Sequence, residues 1–432
     1  MTAMRAVLVL GLLGGVAATG CGGEEPTSSP TQDKGEADTA KATQPTPEQP
    51  QPARPTPGRV LLVAQSEFKP NADGKYTLPD AAGLLVLEPT SSGAWKMSRI
   101  EDRESNVFHK ALAIEGGGIL TIGANQARLK LWRKAGGAWT AQTLWSPTFG
   151  GEQNRLRDFE AADFDGDGRS DLAIATHDQG VVAVGWNRPD GWKFEEIDRK
   201  PDTFVHEIEI GDLDGNGKLE IYATPSQPNT TSGLGQGGAI VRYAWTGEKF
   251  DRSEVAAFAS RHVKEVLVAD IEGDGAFELY AALEAEMGKD GAIVTPVEIR
   301  RFDWKGASFE SRKIADLDDR FCRFLTVGDV DRDGAKELIA SAFSSGVWVI
   351  EQAGGSYSKT CIDAETGGFE HAAYVADVDG EPGLELYVAD DTGGVINRYV
   401  YDGKAYVKSV VNRRPVAGQA MVWNITDADL SK

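Results

Sequence analysis

DFDGDGRSD, at Asp163–Asp171, is the first of five related phrases that decide which fold this sequence predicts. The other four phrases are DLDGNGKLE at Asp212–Glu220, DIEGDGAFE at Asp270–Glu278, DVDRDGAKE at Asp329–Glu337 and DVDGEPGLE at Asp377–Glu385. Each phrase carries carboxylate or amide side chains at alternate positions and ends with an acid at the ninth position. An apolar, strand-like run follows each of them. The chain therefore repeats an oxygen-rich loop that leads into a β-strand.

The spacing of these phrases is typical of a β-propeller. Their first residues are separated by 48 to 59 residues, which suits a blade of four strands. A second repeat consists of an alternating strand, a turn that usually contains glycine, an aromatic residue and another strand. The aromatic residues of its seven copies are Trp95, Trp139, Trp192, Phe250, Phe309, Tyr357 and Tyr406. Seven hairpins predict an all-β fold of seven four-stranded antiparallel blades.

The two ends of the repeat region complement each other. Arg59–Ala64 (RVLLVA) has the pattern of a second strand without a first, and Met421–Asp429 (MVWNITDAD) that of a first strand without a second. Pairing them completes one blade and removes the edge of unpaired backbone groups that an open ring would leave. The next blade, at His109–Ala124, keeps the strand pattern but has no acids at alternate positions in its short loop. We expect no metal in that loop.

The side chains of the acidic phrases are those of a calcium site. Positions one, three and five place oxygen atoms on one side of a tight loop, position seven adds its carbonyl, and the ninth carboxylate closes the shell. Such hard ligands in a flexible loop favour Ca²⁺ over Mg²⁺. An EF-hand is excluded because position twelve is Ile174 or Ala223 instead of Glu, and because a strand follows. A metal-free acidic turn is the alternative for any single loop.

From Arg59 to the C-terminus the pattern resembles the VCBS and FG-GAP repeats of integrin-alpha-like calcium-binding β-propellers. The resemblance implies about four structural calcium ions. It also implies the following ligands: Asp163, Asp165, Asp167, Arg169 and Asp171; Asp212, Asp214, Asn216, Lys218 and Glu220; Asp270, Glu272, Asp274, Ala276 and Glu278; Asp329, Asp331, Asp333, Ala335 and Glu337. Glu381 and Pro382 depart from the pattern, so we expect the Asp377 loop to bind weakly or not at all.

Residues 1–20 resemble a bacterial lipoprotein signal peptide. Arg5 precedes the apolar run Ala6–Leu13, which is too short to span a membrane, and small residues lead to Cys21. The resemblance implies cleavage before Cys21 and diacylation of its sulfur, with the lipid as the only membrane attachment. An ordinary secretory signal is the alternative. The expected location is the bacterial cell envelope, at the outer membrane or the cell surface.

Composition separates the remaining chain into two parts. Residues 21–58 are rich in Pro, Thr, Gln and Glu without hydrophobic periodicity, and they predict a disordered tether before a propeller at residues 59–432. The net charge of −21 argues against nucleic acid as a partner.

Cys322 and Cys361 are the only cysteines beyond Cys21, and the sequence leaves open whether they form a disulfide. We expect a monomer.

One repeat position suggests where a ligand would bind. Basic residues occur six positions before the loop acids, at the start of the first strand of a blade: His109, Arg157, His206, Lys264, Arg323 and His371. They predict either a cationic funnel at the mouth of the central channel, suited to an acidic sugar or a carboxylate, or a hydrated channel rim. The long connections at residues 65–82, 225–238 and 284–296 belong to the same end of the propeller and are typical of binding surfaces.

These features favour a binding module over an enzyme. The sequence has no G-x-S-x-G nucleophile motif and no H-E-x-x-H zinc motif, so no catalytic residue is assigned. We expect a cell-envelope lipoprotein whose propeller binds a glycan or an envelope protein. One alternative is a polysaccharide lyase or hydrolase that uses the His, Arg and Glu side chains of the channel mouth. Another is a scaffold of an envelope assembly complex.

Overall fold

The computed structural model describes residues 58–230 and 236–431. These residues form 31 β-strands and no helix. In this part of the chain there is accordingly no helix long and apolar enough to cross a membrane. The predictions of a signal peptide at residues 1–20, of lipidation at Cys21 and of a disordered tether up to residue 57 lie outside the described residues.

The first four of the seven sheets, or blades, are each built from four antiparallel strands, and blade 1 carries one extra strand. Blade 1 contains β1 (Arg59–Pro70), the additional β2 (Tyr76–Pro79), β3 (Ala82–Pro89), β4 (Trp95–Asp102) and the C-terminal β31 (Ala420–Asp429). Blade 2 contains β5 (Phe108–Ile114), β6 (Gly118–Gly123), β7 (Arg128–Ala135) and β8 (Ala138–Trp145). Blade 3 contains β9 (Leu156–Ala162), β10 (Asp171–Thr176), β11 (Val182–Arg188) and β12 (Gly191–Asp198). Blade 4 contains β13 (Phe204–Gly211), β14 (Glu220–Gln227), β15 (Gly237–Trp245) and β16 (Phe250–Phe258).

The last three blades follow the same plan. Blade 5 contains β17 (Val263–Ala269), β18 (Glu278–Leu283), β21 (Val297–Trp304) and β22 (Phe309–Leu317), and a small hairpin of β19 (Glu286–Met287) and β20 (Ile293–Thr295) projects from it. Blade 6 contains β23 (Cys322–Gly328), β24 (Glu337–Ala342), β25 (Val347–Ala353) and β26 (Ser356–Asp363). Blade 7 contains β27 (Ala373–Ala376), β28 (Glu385–Asp390), β29 (Val395–Tyr401) and β30 (Tyr406–Arg413).

The innermost strands of the blades form a closed ring. In order around the ring they are β31, β5, β9, β13, β17, β23 and β27, and β27 contacts β31 again. The prediction of seven four-stranded blades is confirmed. The all-β fold follows from the alternating and β-branched sequence of these segments, because side chains on both faces of a blade pack against neighbouring blades.

Pairing of the two ends of the described chain completes blade 1, as the sequence predicts. β1 and β31 are antiparallel partners from Arg59 opposite Asp429 to Glu67 opposite Ala420. The closing strand is also tied to both neighbouring blades. The Thr426 hydroxyl donates to the carbonyl of Ala111 in blade 2 at 2.7 Å, and the Tyr374 hydroxyl of blade 7 donates to Asp427 at 2.8 Å.

The hairpin aromatic residues seal the gaps between blades at the outside. Trp95 of blade 1 packs edge-on against Tyr387 of blade 7, with ring centroids 5.9 Å apart. Phe250 of blade 4 meets Phe164 of blade 3 at 5.6 Å, and Phe309 of blade 5 meets Tyr222 of blade 4 at 6.0 Å. Each aromatic residue therefore contacts the preceding blade. The two cysteines of the described chain, buried Cys322 and half-buried Cys361, do not form a disulfide with each other.

Candidate functional site

The two ends of the propeller carry different connections. Because neighbouring strands alternate in direction, the acidic loops and the outer hairpins lie at one end, which we call the acidic end. The connections from second to third strand and from blade to blade lie at the opposite end, which we call the loop end. Two of the three long connections form extra strands there, namely β2 in blade 1 and the β19–β20 hairpin in blade 5.

The first aspartate of each acidic loop folds the loop around itself. The Asp163 carboxylate accepts backbone N–H groups from Gly166, Asp167 and Gly168 at 2.8 to 3.1 Å. Asp270 accepts the equivalent three bonds in blade 5. Gly166 and Gly168 have φ angles of 77° and 84°, a left-handed backbone that glycine adopts without strain. Hydrogen bonds to the first aspartate and the glycine backbone therefore define the shape of the loop without a cation.

Three acidic loops gather three carboxylates each. In each group, one oxygen atom per residue lies within 4.8 Å of the others: Asp163, Asp165 and Asp171 in blade 3; Asp329, Asp331 and Asp333 in blade 6; Asp377, Asp379 and Glu385 in blade 7. These clusters could hold a metal ion. The sequence predicted calcium ligands in blades 3, 4, 5 and 6, and weak or no binding in blade 7. The blade 7 carboxylates nevertheless gather, despite Glu381 and Pro382.

The blade 6 loop fits a cation best. In the described chain, no lysine or arginine nitrogen lies within 4 Å of its aspartates, and Asp329 Oδ1 is buried without a hydrogen-bond partner. Glu337 lies beneath them and accepts the backbone N–H of Val330 at 2.9 Å. Burial raises the pKa of Glu337 to about 7, and the nearby aspartates add to the effect. This loop therefore concentrates negative charge that a cation would neutralise.

Arginine side chains enter other acidic loops. In blade 4, Arg242 pairs with Asp214 and Glu220. In blade 5, Arg301 pairs with Glu272, with Glu278 at 3.0 Å and with Asp303 at 2.8 Å. The remaining predicted ligands of these loops, Asp212, Asn216, Asp270 and Asp274, accept backbone N–H groups within the loop.

The positions expected to offer a carbonyl share one local contact. The N–H groups of Arg169, Lys218, Ala276 and Ala335 each donate to the side chain at position five of their own loop, at 2.8 to 2.9 Å. Position five is Asp167, Asn216, Asp274 or Asp333. These side chains are therefore held by the loop backbone. In blade 3 Asp167 also pairs with Arg169 and with Arg188.

Four of the six basic residues predicted at the channel converge inside it. Arg157, Lys264 and Arg323 surround the carboxylate of Glu370, with nitrogen–oxygen distances of 3.5, 3.6 and 3.3 Å. Arg157 also lies 3.1 Å from the Nε2 atom of His206. All of these side chains are buried. Burial alone would raise the pKa of Glu370, but Lys264, Arg323 and Arg157 outweigh it and hold the pKa below its ordinary value.

The other two basic residues are placed differently. His109 lies beside the group, with Nδ1 2.7 Å from the carbonyl oxygen of Leu156 and its ring 4.8 Å from that of Trp423. His371 points away, because its backbone is left-handed (φ 52°) and its ring nitrogens contact Ala342 O and Thr366 Oγ1 at 2.6 and 3.0 Å. The side chain of Glu370, one residue earlier, lies in the channel where His371 was expected.

Histidines in the channel are held neutral. The rings of His109, His177, His206 and His262 follow one another at centroid distances of 5.4 to 6.3 Å. Burial lowers the pKa of each imidazole well below 6.5, and neighbouring arginine and lysine charges lower it further. The centre of the propeller is thus a closed network of ion pairs and neutral rings.

Above this network, at the loop end, lies a half-exposed group that we call the aromatic mouth: Arg320, Phe321, Phe343 and Phe369. Phe321 contacts Phe343 at 5.6 Å and Phe369 at 6.3 Å. Phe343 N donates to Phe321 O at 2.9 Å and its carbonyl accepts Gly368 N at 3.1 Å, so the backbone fixes the three rings. The guanidinium of Arg320 lies 4.9 Å from the Phe321 ring.

The aromatic mouth was not predicted from the sequence. Phe321 and Phe369, ahead of the first strands of blades 6 and 7, lie two residues before Arg323 and His371 in the sequence. Phe204 stands two residues before His206 in the same way. This secondary repeat was the available signal. Phe343 lies in a short connection and has no counterpart in the repeat pattern.

The loop end also has a recess between blades 1 and 2. It has a volume of about 490 Å³ and its lining includes Lys69, Asp80, Glu101, Arg103 and Asn106. Lys69 pairs with Asp80 at 2.6 Å, and Arg103 pairs with Glu101 at 2.7 Å. Its charges already neutralise one another, and no aromatic ring lines it.

Comparison with known protein families identifies the repeat. Residues 163–223, from the acidic loop of blade 3 into the second strand of blade 4, match the family model of the FG-GAP-like repeat. This chain is a seven-bladed β-propeller with an FG-GAP-like repeat. The propeller architecture fits a binding module. A comparison with curated protein sequences found no significant match.

Solved structures share the propeller fold at low sequence identity. One is a candidate 6-phosphogluconolactonase from Bacteroides fragilis NCTC 9343, with a TM-score of 0.54 and 12% identity, covering 86% of this chain and 99% of that one. Another is a candidate 6-phosphogluconolactonase from Bacteroides uniformis ATCC 8492, with a TM-score of 0.51 and 13% identity, covering 86% of this chain and 100% of that one. These likenesses concern the fold alone.

Proposed function

We propose that this propeller is a glycan-binding module that takes acidic sugars at the aromatic mouth. The observation that carries the proposal is the juxtaposition of half-exposed phenylalanine rings with a guanidinium at the centre of the loop end. Phe343 is 36% exposed, although a ring of this size would ordinarily be buried. Apolar sugar faces pack on aromatic rings, and a uronate carboxylate pairs with an arginine.

The surroundings of the aromatic mouth support a preorganised site. Asp319 accepts N–H groups from Ser344 and Ser345 at 2.7 and 2.6 Å, which fastens the Phe343 connection to the Phe321 connection. Ala285 N donates to Arg320 O at 3.1 Å, so the connection that carries the β19–β20 hairpin is fixed at the edge of the mouth. A site built on such fixed connections loses little entropy when it binds.

The closed centre of the channel supports surface binding over catalysis. Arg323 stacks between Phe369 and Phe321, at 4.1 and 4.8 Å, and its guanidinium is neutralised by Glu284 and Glu370. Burial and neighbouring cations hold the pKa of the buried histidines well below 6.5, so these rings carry no charge near neutral pH. A sugar would therefore rest on the aromatic mouth above the ion pairs instead of entering the channel.

In this proposal the chain is a lipoprotein, anchored through Cys21, that presents the propeller on the bacterial cell envelope. Calcium in the acidic loops would have a structural role, since these loops lie at the opposite end from the aromatic mouth. The Asp329 loop has the oxygen ligands and the uncompensated charge that such an ion requires. The second candidate ligand is an envelope protein, whose acidic and apolar side chains could bind the same arginine and phenylalanine side chains.

Binding of uronate oligosaccharides, measured by calorimetry in the presence of calcium, tests the proposal. We expect the Phe343→Ala and Arg320→Ala variants each to bind roughly tenfold more weakly, because each removes one stacking or charge contact. Phe277→Ala is the matched control, since Phe277 is an exposed phenylalanine at the acidic end. Carboxyl-reduced versions of the same oligosaccharides should bind weakly. Equal binding by both mouth variants, or no binding of any uronate, would contradict the proposal.

A further inference from the structure

A repeated trio of side chains separates the acidic loops into two groups. In blades 4, 5 and 7 the glutamate at position nine is followed two residues later by a tyrosine, and an arginine stands opposite that tyrosine on the third strand. The pairs are Tyr222 opposite Arg242, Tyr280 opposite Arg301 and Tyr387 opposite Arg398. In blades 3 and 6 the equivalent pairs are aliphatic, Ala173 opposite Val184 and Ile339 opposite Val349.

In blades 4 and 5 the trio contacts both oxygen atoms of the position-nine glutamate, and in blade 7 the contact to one of them is longer. In blade 5, Arg301 binds Oε1 of Glu278 at 3.0 Å while the Tyr280 hydroxyl donates to Oε2 at 3.3 Å. In blade 7, Arg398 lies 3.6 Å from Oε1 of Glu385, and Tyr387 donates to Oε2 at 3.2 Å.

Blade 4 repeats the arrangement of blade 5. Arg242 binds Oε1 of Glu220, and the Tyr222 hydroxyl donates to Oε2 of the same carboxylate. The position-nine carboxylates of blades 4 and 5 are therefore saturated by side chains of their own blade. In blade 7, Oε1 of Glu385 forms an ion pair with Arg398 but has no hydrogen-bond partner.

Each arginine also binds the acid at position three of its loop. These acids are Asp214 in blade 4, Glu272 in blade 5 and Asp379 in blade 7. A guanidinium thus bridges two of the positions that the repeat pattern assigns as calcium ligands, positions three and nine. A divalent cation at the same place would meet a like charge and would lose both carboxylates, which disfavours its binding.

The arginines are structural parts of the blades and not surface side chains that swing into the loops. The Arg301 side chain is only 8% exposed and also donates to the Tyr357 hydroxyl of blade 6 at 3.0 Å. Arg242 stacks over Trp304 of blade 5 at 5.0 Å. By contrast, Arg188 of blade 3 stands at the end of its strand and pairs with Asp165 and Asp167, while Asp171 accepts only backbone N–H groups.

We propose that arginine takes the place of the metal ion in the acidic loops of blades 4, 5 and 7, so that the propeller holds metal only in blades 3 and 6. The proposal assigns to arginine two loops that the repeat pattern predicts as calcium sites. It also explains why the blade 7 carboxylates gather although that loop departs from the pattern: Arg398 draws Asp379 and Glu385 together. The inference concerns the acidic end and is independent of what the aromatic mouth binds.

Calcium stoichiometry, measured by equilibrium dialysis and elemental analysis on the purified chain, tests this inference. We expect two bound ions per chain. Asp333→Ala should remove one of them and lower the melting temperature, because Asp333 is at position five of the blade 6 loop. The matched variant Asp274→Ala changes the same position in blade 5, where the aspartate accepts the same backbone N–H contact. It should change neither the stoichiometry nor the effect of a chelator on melting.

Replacing the arginine gives the converse test. Arg301→Met should free Glu272 and Glu278 and raise the stoichiometry by one, whereas the exposed Arg133→Met should not. Four or five ions in the unmodified chain, loss of an ion in Asp274→Ala, or no ion at all would each overturn the inference. If Arg301→Met does not fold, the comparison of Asp333→Ala with Asp274→Ala still tests the inference, because both substitutions lie at exposed positions.

Discussion

At the scale of single residues, burial decides which side chains bind one another and which are free to bind a ligand. Glu370 is fully buried yet ionised, because three cations surround it. The repeat position identified the cations from their spacing but did not identify their counter-ion. Glu370 lies one residue before that position, and only the left-handed backbone of His371 brings it into the channel. Sequence spacing alone does not reveal such a shift.

The buried histidines make one residue-scale prediction about pH. His262 is packed by Phe204 and His206 and faces the charges of Arg323, Lys264 and Arg157, so its pKa lies well below 6.5 in the folded state. The unfolded chain binds a proton at His262 below pH 6.5 and the folded chain does not. This residue therefore contributes stability at neutral pH that is lost as the pH falls below 6.5, by about 1.4 kcal/mol per pH unit.

A pair of variants isolates that contribution. His262→Phe should be most destabilising above pH 7, and the difference from the unmodified chain should shrink as the pH is lowered to 5.5. Ser226→Ala removes the same 2.6 Å contact to His262 Nδ1 but keeps the imidazole, so its cost should not depend on pH in this way. Urea unfolding at several pH values measures both. A constant cost for His262→Phe across this range would show that folding does not lower the pKa of His262.

At the scale of strands and loops, repetition made most of the fold predictable. Seven hairpin aromatics and five acidic loops fix the blade count, and the incomplete patterns at Arg59–Ala64 and Met421–Asp429 indicate how the ring closes. The arginines of the acidic loops were harder to foresee, because Arg242, Arg301 and Arg398 lie on the third strand, far along the chain from the acids they bind. Strand register brings them together, and register is a property of the folded sheet.

The closing strand β31 gives a prediction at this scale. Deleting residues 418–432 removes the partner of β1 and leaves a long, apolar inner edge. We expect the shortened chain to lose its cooperative thermal transition and to aggregate, as measured by circular dichroism and size-exclusion chromatography. A synthetic peptide of residues 418–431, added during refolding, should restore a folded complex. A monomeric shortened chain with an unchanged melting temperature would contradict the role given to β31.

At the scale of the whole molecule, the propeller separates two tasks. At the acidic end, arginines cross-link the loops of blades 4, 5 and 7, and we propose that metal does so in blades 3 and 6. The loop end carries the connections that vary in length and present the aromatic mouth. The ring of inner strands between them is filled by ion pairs and neutral histidines. The sequence predicted ligand binding at the loop end, where the proposed site also lies, but it did not predict the aromatic mouth, because Phe343 belongs to no repeat.

We propose that an acidic glycan binds at the aromatic mouth. The position of a uronate oligosaccharide in a co-crystal structure distinguishes this site from every other surface of the propeller. We expect a sugar ring against Phe321 and Phe343, with its carboxylate within 4 Å of the Arg320 guanidinium, as for an ion pair. An oligosaccharide bound in the recess between blades 1 and 2, or at the acidic end, with the aromatic mouth left empty, would contradict it.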